Sequence, residues 1–158
     1  MPEYSVDPDR PWLRSYDAGV AHSLNVPPMT IPDYLRQAAE GHPRQVATVF
    51  LGARLTYAQL RRDANRFAHG LAALGVKRGD RVAILLPNCP QTVIAYYAVL
   101  SLGAVAVMTN PLYTETELAR QWTETSVDVA VVLDRLWKRV RQVRVTVPLR
   151  QVVVTGIQ

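Results

Sequence analysis

Among its 158 residues the chain has one cysteine, Cys89. An internal disulfide is thereby excluded, and no His/Cys cluster has metal-ligand spacing, so a reducing cytoplasm is the expected setting. Acidic residues are missing from Arg135 to Gln158, and charges of either sign are missing from Val82 to Thr114. Glycines number only eight, and neither G-x-G-x-x-G after a strand nor G-x-x-x-x-G-K-[ST] occurs. No glycine-rich cradle for a nucleotide phosphate is therefore recognisable. Residues 1–29 hold Asp, Glu and five prolines without a continuous apolar core, which does not read as a secretory signal.

What is present is the composition of a globular protein, 49% hydrophobic and 20% charged. The length suffices for one domain with a real core. Six of the 18 Lys and Arg lie between Arg135 and Arg150, and the rest of the chain holds 12 basic against 13 acidic side chains. The whole excess of +5 thus comes from one late segment. A nucleic-acid-binding surface spread over the protein is not expected on that distribution.

Residues 1–29 read as an irregular arm, broken by Pro2, Pro8, Pro11, Pro27 and Pro28 and carrying the rings of Tyr4, Trp12 and Tyr16. A helix is expected from Thr30, with Asp33 as cap partner and an apolar stripe of Ile31, Tyr34, Leu35, Ala38 and Ala39, ending at Gly41 and Pro43. Val46–Leu51 and Arg54–Thr56, joined at Gly52-Ala53, form a hairpin pattern. Thr56 and Gln59 make a capping box for a helix that buries Leu60, Ala64, Phe67, Ala68, Leu71 and Leu74 and closes at Gly75.

Strands are then expected near Val82–Leu86, Ala104–Met108, Val127–Leu133 and Gln151–Thr155, with helices starting near Asn88, Thr114 and Asp134. Unalternating strands, each followed by a capped helix, predict a doubly wound α/β fold with a mainly parallel sheet covered on both faces. The uncharged run needs its own reading, because Pro90–Met108 is apolar enough to suggest a membrane span. Pro87, Asn88 and Pro90 punctuate its start, and Gly103 sits where a helix of roughly 13 residues should stop. A helix apolar on all sides also suits a buried crossover or a subunit interface, through Val93, Ile94, Tyr96, Tyr97 and Leu100.

A parallel sheet places ligands beyond the carboxyl ends of its strands. The loops there are Pro87-Asn88-Cys89, Thr109-Asn110-Pro111 with Tyr113, and Asp134-Arg135. Asn88, Thr114 and Asp134 serve equally as N-caps, and Asn110-Pro111 as a turn. Asn110, Pro111 and Tyr113 are not needed as caps and remain the candidate substrate-side residues. His22, His42 and His69 lack acidic or cysteine partners at useful spacing and read as surface residues. Cys89, at a helix start with no visible base, reads as a buried structural thiol. The basic helix from Asp134 is either a solvated face or a docking surface for a phosphorylated ligand or an anionic membrane.

Four runs carry a resemblance: LTYAQL, GVKRGDRVAILLPNCP, GAVAVMTNPLYTETEL and DVAVVLDRLWKRVRQV. In order and spacing they resemble the start of the adenylate-forming superfamily of acyl-CoA synthetases, luciferases and peptide-synthetase adenylation domains. The arm, RPWLRSYDAGVAHSL, is similar to that of bacterial long-chain fatty acid–CoA ligases. The resemblance implies acyl-adenylate formation from ATP and a fatty acid, then transfer to CoA as a thioester.

It further implies that residues 1–29 are an arm and 30–158 the first α/β subdomain of an incomplete large domain. The phosphate loop should follow Gly156, with the ribose-binding aspartate and the catalytic lysine later still. No catalytic, cofactor-binding or metal-binding residue is therefore assigned here, and ATP, Mg and CoA are implied only for the full-length enzyme. That enzyme is expected to be a cytoplasmic homo-oligomer, with peripheral contact at the inner membrane face and no nucleic-acid partner. Another acyl- or aryl-CoA ligase, a stand-alone α/β binding module and a membrane-associated adaptor are the alternative readings.

Overall fold

The strands expected between Val82 and Thr155 all form, and each carries side chains to two covered faces. The computed structural model describes residues 10–24 and 27–157. Along the chain come α1 (Ile31–Gly41), β1 (Val46–Phe50), β2 (Ala53–Thr56), α2 (Tyr57–Ala73), β3 (Arg81–Leu85) and α3 (Pro90–Ser101). They are followed by β4 (Val105–Met108), α4 (Glu115–Glu124), β5 (Val129–Leu133), α5 (Trp137–Val143) and β6 (Gln151–Thr155). The last four strands make a wholly parallel sheet in the order β4-β3-β5-β6.

The missing alternation has a direct cause. Val82, Ile84, Val129, Val131 and Leu133 pack with α2 and α3, while Ala83, Leu85, Ala130 and Val132 pack with α4 and α5 on the opposite face. Both sets are apolar, so β3 and β5 read as continuous hydrophobic runs. β4 and β6 are edges with one neighbour each, and Val105, Met108 and Val154 are partly exposed there.

Three helices start as their sequences dictate. Thr30 with Asp33, Thr56 with Gln59 and Thr114 with Glu117 each form a reciprocal capping box. The Thr30 hydroxyl and then the Arg36 guanidinium hold the Asp33 carboxyl well below the usual carboxylate range. The Thr114 backbone N–H and then its hydroxyl lower that of Glu117.

The other starts differ from expectation. Cys89, not Asn88, is the N-cap of α3, with Pro90 in the first turn. Proline needs no N–H there and drives the preceding residue into extended backbone, which excludes an earlier start. Asp134 does not cap α5 either. It opens a 3-10 turn over Asp134–Leu136, and its carboxylate accepts from the Arg135 N–H at 2.6 Å. In α1, Leu35 and Ala39 are buried but Ile31 and Tyr34 are largely exposed, and Leu74 past α2 is also exposed. Within the arm Pro11–Ser15 forms a 3-10 helix, with proline in its first turn. Pro2, Tyr4 and Pro8 lie outside the described residues.

The β1–β2 turn is made by Leu51 and Gly52 rather than Gly52-Ala53. Both have positive φ, 48° and 82°, as a tight two-residue hairpin turn of the I′ kind requires. Leucine in the left-handed region is strained by about 1–2 kcal/mol, and Leu51 is 80% exposed, so packing returns little. Leu51→Asn is therefore expected to raise stability by about 0.5–1 kcal/mol, read from the urea midpoint. An unchanged or lower midpoint would show that Leu51 is not strained.

The sheet alone does not cover α3. Ala95, Ala98 and Val99 pack on the sheet, while Val93, Ile94 and Tyr97 pack against Leu35, Leu60 and Ala64 of α1 and α2. Two preceding helices lie across the side that the sheet leaves open. Large apolar groups that reach solvent lie on other elements, among them Val49 and Leu51 on the hairpin, Leu112 and Val145. Among the described residues no helix is long and apolar enough to cross a membrane.

At the amino ends of the strands, one side chain ties distant segments together. Arg150 donates to the Gly75 carbonyl at 2.7 Å and to the Asp80 carboxylate at 2.6 Å. Asp80 also accepts from the Lys77 N–H, and that bond, ahead of the arginine, lowers its pKa.

Candidate functional site at the carboxyl edge of the sheet

The chain leaves β3 toward β4 on one side and leaves β5 toward β6 on the other. The topological switch therefore lies between the carboxyl ends of β3 and β5, where open α/β sheets bind ligands. Asn88 and Cys89 follow β3, Asp134 follows β5, and Gly156 follows β6.

Gln91, in the first turn of α3, joins these loops. Its amide donates to the Gly156 carbonyl at 3.2 Å, while its Oε1 is buried without a partner. Gly156 lies so close to Asp134 that a Cβ there would stand 3.1 Å from the carboxylate oxygen. Thr92 donates to the Pro87 carbonyl and lies 3.4 Å from the Cys89 sulfur. Cys89 is buried, and a hydroxyl rather than a base is its side-chain partner.

Two spaces flank this line of contacts. An open cleft of about 230 Å³ runs between the hairpin and the start of α3, lined by Thr48, Phe50, Asn88, Cys89 and Val93 among others. A smaller apolar space of about 120 Å³ is bounded by Phe67, Gln91, Ile94, Val131, Val153 and Thr155. Hydrogen-bonding groups and apolar walls are present, but no nucleophile–base pair stands beside them. Among the described residues no cluster of acidic, His or Cys side chains is placed to hold a metal ion.

The loop after β4 is built differently. Asn110 accepts from the Leu112 N–H at 3.0 Å in an Asx turn, which gives its side chain a local structural use. Pro111 and Tyr113 present their carbonyls to one Arg139 guanidinium nitrogen, at 2.9 and 2.6 Å. The Tyr113 ring packs into the cluster of α4 and α5. Beneath, Thr109 is 4% exposed and its Oγ1 accepts from the Trp122 indole at 3.1 Å. The structure thus brings Asn110, Pro111 and Tyr113 together as one pinned loop, separate from the Gln91–Gly156–Asp134 contacts.

The sequence gives no distinguishing mark to Gln91 or Arg139, and it places Thr109 in its loop without a role. Gln91 stands out only as a polar residue in the uncharged run. Arg139 belongs to a cationic series whose spacing does not mark the one member that turns inward. The histidines lie where expected at the surface, with His42 as the C-cap of α1 and the His22 ring meeting Tyr16 edge-on.

Residues 35–157 match the family described as AMP-binding enzyme. A long-chain-fatty-acid–CoA ligase of Bacillus subtilis is 39% identical over 149 residues, covering 94% of this chain and 27% of the relative. Triostin synthetase I of Streptomyces triostinicus is 34% identical over 126 residues, covering 78% of this chain and 24% of its own length. The structure of a putative long-chain-fatty-acid CoA ligase from Rhodopseudomonas palustris superposes with a TM-score of 0.76 at 29% identity. It covers 81% of this chain and 33% of that one. The chain thus spans about a quarter of the length of the curated relatives it matches. A match that begins in α1 and runs through every strand of the parallel sheet leaves one assignment: the chain belongs to the AMP-binding enzyme family.

Proposed function

We propose that this chain is the opening segment of an ATP-dependent fatty acid–CoA ligase. The whole enzyme joins a fatty acid to AMP with release of pyrophosphate, then passes the acyl group to the thiol of CoA. The observation that carries the choice of substrate class is the extent of the match. A similarity of 149 residues to the Bacillus subtilis ligase must run into the arm ahead of Thr30. The 126-residue similarity to triostin synthetase I needs no arm.

In this reading residues 1–29 are an arm and 30–158 the first α/β subdomain of a larger domain. Asn110, Pro111 and Tyr113 form a substrate-side loop, supported by the way Arg139 holds the turn rigid. ATP, Mg and CoA are taken up by groups beyond this segment. The whole protein is cytoplasmic, self-associates and touches the membrane surface peripherally.

The test is pyrophosphate release and CoA-thioester formation by the whole gene product, offered palmitate, octanoate and benzoate in parallel. Palmitate is expected to be turned over best, and a protein active only on benzoate would overturn the fatty-acid assignment. Residues 1–158 alone are expected to release no pyrophosphate above background. Stabilising the transferring adenylyl group needs cationic and hydrogen-bonding groups in place, and the carboxyl-edge loops hold none arranged for it. Pyrophosphate release by the isolated segment would refute that.

A further inference from the structure

We infer that the outward face of α5, with the adjacent tip of the β4–α4 loop, docks on an anionic lipid bilayer. The charge is one-signed: Arg135, Lys138, Arg141 and Arg144 are all exposed. None of the four forms an ion pair among the described residues. Lys138 and Arg141 are three residues apart on α5, and Val145 follows in the turn two residues past the helix end. The acids nearest in the fold are two. Asp134 accepts from the Arg135 N–H and lies against Gly156, and Glu115 lines the groove between α4 and α5.

Two apolar side chains make the face more than a solvated cationic stripe. Val145 is 81% exposed and Leu112 is 84% exposed. Leu112 stands between the two residues whose carbonyls Arg139 holds, so the tip is fixed beside the helix rather than free. Exposed cations accompanied by exposed aliphatic groups match the headgroup and acyl boundary of an acidic membrane.

A small phosphorylated ligand fits less well. The groove beside the cations is lined by Glu115, Thr116 and Gln142, a carboxylate and neutral groups that offer no phosphate cradle. A soluble acidic protein would use the same charges but would gain less from Leu112 and Val145. The inference gives a location to the peripheral contact proposed above and rests on that reading. Its readout needs no catalysis, so its failure leaves the ligase assignment standing.

The experiment is co-sedimentation of the whole gene product with vesicles of phosphatidylcholine, with and without 30% phosphatidylglycerol, beside retention on heparin. Binding is expected only with the anionic lipid and should fall steeply with salt. Lys138→Glu with Arg141→Glu should weaken it about tenfold or more, since each surface cation near anionic lipid matters severalfold. Leu112→Asp should weaken vesicle binding while leaving heparin retention unchanged. Circular dichroism confirms folding, and all three positions are exposed. Equal binding to neutral vesicles, or wild-type binding by the charge-reversed variant, would overturn the inference. So would heparin retention without vesicle binding, which would point to a soluble acidic partner. Vesicle binding indifferent to Leu112→Asp would reduce the face to diffuse attraction for polyanions and also defeat it.

Discussion

Trp122→Ala is expected to lower stability by about 3–5 kcal/mol, a large share of the total for a domain of this size. Trp122 is 0% exposed and is among the largest fully buried side chains. It lies in the cluster formed by Ala83, Ala130 and Val132 of the sheet with Val140 and Val143 of α5. Alanine would leave a void between α4 and the strands that rigid neighbours fill only in part. It would also remove the indole donor from the hydroxyl of Thr109, the only buried polar residue among those described, leaving that hydroxyl its bond to the Val107 carbonyl.

Two controls separate packing from the hydrogen bond. Trp122→Phe keeps most of the bulk and removes the donor, whereas Thr109→Val keeps the bulk of residue 109 and leaves the indole N–H buried and unpaired. Thr109→Val should cost about 1–3 kcal/mol. The double variant should cost less than the sum of the two, because it leaves no orphaned donor. The melting temperature should drop by about 10 °C for Trp122→Ala, taking 2–4 °C per kcal/mol at this length. A loss under about 1 kcal/mol would mean that the helix repacks freely over the sheet.

Tyr97→Arg is expected to unfold the α1–α3 contact rather than merely separate subunits, at a cost of about 2 kcal/mol or more. Tyr97 packs with Leu35, Leu60 and Ala64. Burial, followed by the nearby Tyr57 and Tyr96, pushes its phenol pKa up, so the site already disfavours ionisation. A guanidinium must either leave that contact or be desolvated in it. Self-association is better probed where apolar groups face solvent, as in Val49→Arg on the hairpin. The paired measurements are urea unfolding and light scattering. A Tyr97→Arg protein with wild-type stability and altered size would instead identify α3 as the subunit interface.

The packing of α3 shows what a one-dimensional pattern leaves open. Composition establishes that Pro90–Leu102 has no polar side, but does not say what covers it. The covering residues, Leu35 and Leu60, lie 30 or more positions earlier, on two helices whose periodicity reports their own inward faces and not their destination. The misassigned caps are local errors of another kind. Asn88 and Asp134 have good capping chemistry, but Pro90 and the 3-10 turn at Asp134–Leu136 shift the helix starts past them.

The carboxyl-edge loops were legible as a location, since strand ends mark it, yet their wiring was not. The Gln91–Gly156 and Arg139–Tyr113 hydrogen bonds link residues 65 and 26 positions apart. Nothing in either neighbourhood distinguishes these side chains from solvated ones. By itself the sequence determined what depends on near neighbours and on burial. That covers the three Thr-led capping boxes, the hairpin, and the unbroken apolar strands that require a sheet buried on both faces. Only the tertiary structure decided the strand order that sets the switch point, the covering of α3 by α1 and α2, and which single arginine of a basic series turns inward. Those outcomes depend on contacts between distant segments, and such contacts leave no periodic mark along the chain.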